Sequence, residues 1–217
     1  MSRLWLPTVL LLACTTNATT TEGTTPPSGS AAAATADGAA PAHALDAELV
    51  QTATAASKVE KVKLRVDAQG NLVKQALYHD DAASIPAPVI ELAKSKWPKA
   101  TITRYETELY ADRGRVYEVE VDDGGTLCEV AASPEGAEVY TECRVDPASL
   151  SAELKAAIEQ TAPGGKILEA ETKKGPEVDE VTVEVEHGGR ELYLRMRPDG
   201  SVIQTLQRIP AIVEIPL

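Results

Sequence analysis

The chain is written twice over much of its length, and that limits what it can fold into. Ile85-Pro86, an apolar stripe, Trp97-Pro98, Thr101-Ile102 and Tyr105-Glu106 follow one another in the first copy. Leu150-Ser151, a similar stripe, Ala162-Pro163, Lys166-Ile167 and Ala170-Glu171 follow in the second. The offset is about 65 residues, and a fixed period shared by turn and strand residues is the mark of duplicated supersecondary units. The back halves match one residue out of step. Val119-Glu120-Val121, Gly124-Gly125 and Pro134-Glu135-Gly136 answer to Val183-Glu184-Val185, Gly188-Gly189 and Pro198-Asp199-Gly200.

Each copy reads as one helix and then four antiparallel strands. In copy one, Ser84 is a candidate N-cap and Pro86 suits a first turn. Val89, Ile90, Leu92 and Ala93 make an apolar stripe at helical spacing, and Trp97-Pro98 stops it because proline cannot continue a helix. Residues 116–121 alternate apolar and acidic, the period of a strand with one solvated face. Turns at Asp122-Asp123-Gly124-Gly125 and Ser133-Pro134-Glu135-Gly136 separate the later strands. In copy two, Ser149 or Ser151 caps the helix and Pro163-Gly164-Gly165 ends it. The expected fold is α+β, built of tandem repeats, each one helix packed on a four-stranded antiparallel sheet. The sheet face turned from the helix carries Glu118, Glu120, Glu129, Glu184 and Glu186, and is expected to be largely wet.

The expected domains follow. Residues 84–146 and 147–209 are the two repeats, and 45–83 is a partial one, a short helix plus a β-hairpin around Asp67-Ala68-Gln69-Gly70. The tail 210–217 contains Pro210 and Pro216, which suits an edge strand or a strap.

The N-terminus reads as an address. Met1-Ser2-Arg3 is a positive start, and the apolar run that follows is too short to span a bilayer as a helix. It ends in Leu11-Leu12-Ala13-Cys14, which resembles the bacterial lipobox. That resemblance implies a signal peptide over 1–13 and lipid on Cys14, with Thr15 after it implying the outer membrane. An ordinary secretory signal is the alternative. Residues 14–44 are rich in Thr and Ala with almost no charge, and read as a disordered tether.

Charge excludes one class of partner. Thirty-three Asp and Glu outnumber twenty-one Lys and Arg, for a net charge of -12. Nucleic acid and anionic membrane surfaces need clustered positive charge, so nucleic acid is not expected as a ligand. Phe is absent, so the core falls to Val, Leu, Ile and Ala.

Together, Ile85-Pro86, Trp97-Pro98, Tyr117-Glu118-Val119, the Pro163–Ile167 break and Arg197-Pro198-Asp199-Gly200 resemble the PepSY-like family, also described as beta-lactamase-inhibitor-like. The likeness covers residues 85–209, with an echo at 59–78. It departs at Val181, where Tyr is usual, and at Ser151, where Pro is usual. It implies helix-on-sheet units outside the cytoplasm, often in lipoproteins, and no established enzymatic activity.

Chemistry-bearing residues are few. Cys128 and Cys143 flank the Pro134 turn, where plain hairpin pairing sets 128 opposite about 142. With a one-residue bulge they could form a disulfide, which suits an oxidising compartment, and two reduced buried thiols are the alternative. His43, His79 and His187 share no ligand spacing, and His79-Asp80-Asp81 reads as a solvated loop rather than a metal site. Trp97 reads as a lid on its helix. The chain carries no nucleophile elbow, phosphate loop, CxxC or HExxH, so no enzyme activity, cofactor or metal is expected. The expected function is a non-enzymatic envelope lipoprotein that binds an unidentified envelope protein or peptide, with its membrane contact through lipid. It would regulate or inhibit a periplasmic or secreted hydrolase, and a passive structural or stress-related envelope role is the alternative. Asp122 and Asp123, two carboxylates beside two flexible glycines, are the candidate partner contact.

Overall fold

The computed structural model describes residues 44–216. Helix α1 (Ala47–Ala55) leads into strands β1 (Val59–Val66) and β2 (Leu72–His79). Helix α2 (Ala87–Lys96) precedes β3 (Thr101–Tyr110), β4 (Gly114–Asp123), β5 (Thr126–Ala132) and β6 (Glu138–Arg144). Helix α3 (Ala152–Thr161) precedes β7 (Lys166–Gly175), β8 (Val178–His187), β9 (Arg190–Met196) and β10 (Val202–Arg208). The one-residue slip between the copies falls in a turn. Three residues join β3 to β4, whereas Pro176-Glu177 alone join β7 to β8.

The expectation of tandem units, each with its own four-stranded sheet, is overturned. All ten strands form one antiparallel sheet in chain order, β1 through β10. The joins are the pairing of β2 with β3, as in Leu77 with Thr107, and of β6 with β7, as in Cys143 with Thr172. The physical reason is the edges. A separate four-stranded sheet would leave two rows of unpaired N–H and C=O groups, and fusing the sheets satisfies them.

The three helices cover one face of this sheet. Helices of ten residues are marginal alone, so packing must hold them. Val89 and Ala93 of α2 pack on Tyr117, Val119, Val121 and Val130, while Leu154 and Ile158 of α3 pack on Val181, Val183, Val185, Leu194 and Met196. Each such Val, Leu or Ile, once fully buried, stabilises by about 1.5–3 kcal/mol. Leu49 of α1 is buried too, and α1 is tied down where Arg115 Nη2 meets Asp46 Oδ1 at 2.7 Å and Tyr117 Oη donates to Glu48 Oε1 at 3.0 Å.

Local expectations fare unevenly. Ser151 caps α3, accepting from the Leu154 amide at 3.2 Å. Ser84 does not cap α2. It ends a 3-10 turn over Ala82–Ser84, and Pro86 takes the cap position without a side-chain bond. Trp97 follows the last residue of α2 and packs on the cluster beneath it. After Arg208 the tail forms no strand as far as residue 216.

Candidate functional site

Strand alternation puts the charged residues of the sheet on the face away from the helices. On β4, Val119 and Val121 meet α2, so Glu118 and Glu120 must point the other way. The sheet curls, and inner-face side chains from β1 to β10 line one cavity of about 790 Å³. The expectation of a wet acidic face is therefore corrected for most of the glutamates named. Glu118 is 2 % and Glu120 9 % exposed, and Glu129 is half-buried, whereas Glu186 at the end of β8 is exposed. The curl brings the inner-face side chains together, so the centre of the face that a flat sheet would leave in water is buried.

Buried charge demands partners. Lys74 of β2 pairs with Glu108 of β3 in direct contact, and Lys173 of β7 pairs with Glu142 of β6. Burial and nearby Lys63 push the Lys74 ammonium down to about 7, against the opposing pull of Glu106 and Glu118. Burial also opposes the charge on Lys173, but Glu142 and the neighbouring acids outweigh it and hold its pKa above the usual lysine value. At the rim, Arg104 bonds Glu120 at 2.6 Å and Arg195 bonds Glu180 at 2.7 Å. Tyr140 donates to Glu118 Oε1.

At the centre, Glu106 (β3), Glu118 (β4) and Glu129 (β5) bring carboxylate oxygens within 4.8 Å of one another. Burial and the Glu118 charge raise the pKa of Glu106, and the same causes with Glu142 raise that of Glu129 well above the usual range. Glu118 is itself opposed by burial, yet Lys74, Lys173 and the Tyr140 hydroxyl bring its pKa below the usual value.

A second concavity lies between the sheet's two free edges. Among the described residues, β1 pairs only with β2 and β10 only with β9. Residues of β1, of β10 and of the tail line a cleft of about 1200 Å³. Lys61, Lys63, Arg65, Arg190 and Arg208 line it against three glutamates, a positive excess in a chain of net charge -12. Apolar residues along it stay in solvent: Leu64 is 44 %, Val66 54 % and Ile209 73 % exposed.

The residues singled out in the sequence fall elsewhere. Cys14 and His43 lie outside the described residues. Cys128 and Cys143 are joined by a disulfide on the helix side of the sheet, opposite each other in register. A register shift between Ala131 and Ala132 supplies the bulge that moves 128 from opposite 142 to opposite 143. Asp122 and Asp123 sit at the β4–β5 hairpin tip, on neither concavity. The Asp122 carboxylate accepts from the Gly125 amide at 2.6 Å, so it serves the turn. His79 is no loop residue. It is 1 % exposed on β2, with Nδ1 accepting from the Asp81 amide and Nε2 facing Thr107 Oγ1, each at 3.1 Å. His187 ends β8 beside its turn.

Sequence reasoning missed Glu106, Glu108, Lys74, Lys173 and Tyr140. A signal was present. Tyr78, Tyr110, Tyr140 and Tyr193 alternate in phase with the glutamates and with Lys74 and Lys173. Aromatic rings and paired cations in the same phase as acids mark an enclosed polar face rather than a solvated one.

No family model matches the chain, and no curated protein matches it. Solved structures do. A DUF2874 family protein from Bacteroides ovatus is 18 % identical, with a TM-score of 0.47, covering 59 % of this chain and 89 % of that one. A BLIP-like protein from Bacteroides fragilis is 17 % identical, with a TM-score of 0.46 and the same coverage. A protein from Bacteroides eggerthii described as periplasmic is 16 % identical, with a TM-score of 0.47, covering 57 % of this chain and 88 % of that one.

Proposed function

We propose that this chain is an exported, non-enzymatic binding module that takes an extended acidic segment of an envelope or secreted protein between β1 and β10. One observation carries this: two strand edges, unpaired among the described residues, border one cleft that is rimmed by cations and lined with exposed apolar side chains. An added strand would gain main-chain hydrogen bonds from an edge, and its side chains would alternate between the two walls. Apolar residues would meet Leu64 and Val66, and acids would meet Lys63 and Arg65. A hydrolase that offers such a segment would be held or inhibited. The Asp122-Asp123 turn is not part of this contact surface.

Export is part of the proposal, with lipid on Cys14. Its support is the Leu11-Leu12-Ala13-Cys14 pattern and the Cys128–Cys143 bond, since disulfides persist in oxidising compartments. Palmitate labelling of wild type and of Cys14→Ala tests the anchor. Equal label in both removes it.

Binding is tested with a labelled synthetic peptide of alternating Val and Glu, followed by fluorescence anisotropy and by amide hydrogen exchange. Saturable binding with slowed exchange in β1 and β10 is expected, weakened at least tenfold by Lys63→Glu/Arg65→Glu. Absence of saturable binding, or protection confined to other strands, favours the passive envelope role.

A further inference from the structure

We propose that Glu106, Glu118 and Glu129 form a binding site for one hard divalent cation of calcium-like size, inside the curl of the sheet.

Three carboxylates on three neighbouring strands converge there, and the register explains how. Glu106 is directly opposite Glu118, and Glu129 is opposite Glu120, one inward position along β4 from Glu118. Their oxygens lie within 4.8 Å of one another. Three protein carboxylates suit Ca²⁺, which takes about six to eight oxygens in flexible geometry, better than Mg²⁺, which keeps several waters and is usually held by one or two carboxylates.

An acidic cluster alone would not point to a ligand. The second observation is Glu106 Oε1, which is buried and has no hydrogen-bond partner, in a side chain only 4 % exposed. An oxygen in that position costs free energy unless something meets it. Glu106 is also one of the three converging carboxylates, so this unsatisfied oxygen, in a carboxyl that also meets the Tyr78 hydroxyl, belongs to the cluster itself.

Nearby lysines do not fill the role. Lys74 is in contact with Glu108 and Lys173 with Glu142, and Lys63 donates to the Tyr78 hydroxyl. Among the described residues, none of the three glutamates has a lysine or arginine at ion-pair distance, although Lys74 and Lys173 favour the Glu118 charge from further off. An all-oxygen donor set selects hard cations over Zn²⁺ or Cu²⁺. The surrounding cavity of about 790 Å³ leaves room for waters to complete the shell.

The test is calorimetric titration of CaCl₂ into the exported, disulfide-bonded chain after EDTA treatment, with MgCl₂ and MnCl₂ in parallel and no peptide present. One saturable Ca²⁺ site per chain is expected, with weaker Mg²⁺ binding. Glu106→Gln and Glu129→Gln should each weaken it at least tenfold, and exposed Glu186→Gln should leave it unchanged. Circular dichroism of each variant confirms that it is folded. Where a variant does not fold, displacement of Mn²⁺ by Ca²⁺, read by the Mn²⁺ electron paramagnetic resonance signal of the wild type, carries the test. No saturable binding overturns the proposal, as does equal affinity in folded Glu129→Gln. Loss of peptide binding leaves it untouched, because the two sites are titrated separately.

Discussion

Gly136, in the β5–β6 turn, lies directly against Pro88 in the first turn of α2, and a Cβ placed on Gly136 would stand 2.8 Å from Pro88 Cβ. Copy two repeats the relationship, with Gly200 against the Glu153 carbonyl oxygen, also at 2.8 Å. Both glycines hold left-handed backbone, with φ of 83° and 85°. Hairpin and helix start therefore meet at one point, which is why Pro-x-Gly and the helix opening are duplicated together. Gly136→Ala should cost more than about 1 kcal/mol, since it adds a clash to the strain of left-handed backbone. Gly124→Ala, left-handed with open space around it, bears the strain alone and should cost less. Urea denaturation of both variants checks the order. Equal losses would show that the Pro88 contact yields without cost.

The clamp between β5 and β6 closes a loop with a sequence separation of 15. On the chain-entropy account that is worth about 3 kcal/mol. Cys128→Ala/Cys143→Ala should lose roughly that much by urea denaturation, and the wild type should fall toward the variant when reduced. Unchanged stability after reduction would refute the assigned contribution.

Parts of this architecture are legible in local sequence because local rules decide them. Proline ends α2, Ser151 caps α3, and the phase of Val119 and Val121 against Glu118 and Glu120 sorts the two faces of β4. The environment of Glu118 is not local. It depends on β2 pairing with β3 and on β6 pairing with β7, since these joins make the one long sheet whose inner face buries Glu118. A repeat taken by itself leaves Glu118 in water, so the duplication suggested separate units and a solvated acidic surface. His79 failed in the same way, because adjacent Asp80 and Asp81 look like a loop while the imidazole lies in β2 beneath Thr107.

Lys74 and Glu108 should behave as a buried pair, with side chains 7 % and 1 % exposed. Removing one partner strands the other charge, so Lys74→Met alone should cost about 3–5 kcal/mol. The double variant Lys74→Met/Glu108→Leu removes both charges and should recover most of the loss. A double-mutant cycle in urea measures the difference. Additive losses would show that the two charges do not depend on each other.

Glu171 gives the inner face a pH signature. Burial, with Glu142 and Glu169 beside it, pushes its carboxyl up to about 9 from an ordinary 4.5. Arg144 Nε stands 3.9 Å away, too distant to offset them. Between those two values the folded state keeps a proton that the unfolded chain has released. Stability contributed here therefore falls as pH rises through that window. Glu171→Gln holds the site neutral throughout. Its Tm should exceed that of wild type by at least about 3 °C near pH 8, roughly 1 kcal/mol in a domain of this size. Near pH 4 the gap should close. Parallel Tm curves from pH 4 to pH 8 would show that Glu171 titrates normally.

The tail beyond β10 shares the cleft assigned to the partner. Residues 209–216 form no strand, Ile212 is 91 % exposed, and Ile209, Pro210, Ala211 and Val213 line the space between β10 and β1. The sequence Ile212-Val213-Glu214-Ile215 also has the alternating apolar and acidic character proposed for the bound segment. The tail should therefore compete weakly for the same edges. Its prolines, Pro210 and Pro216, keep it from completing a strand there. Removing residues 209–217 should leave stability within about 0.5 kcal/mol, as for other exposed changes. The Val–Glu peptide should then bind several-fold more tightly, with hydrogen exchange in β1 slowed further. Unchanged peptide affinity in the shortened chain would mean that tail and peptide occupy different places, and would move the contact away from the β10 side of the cleft.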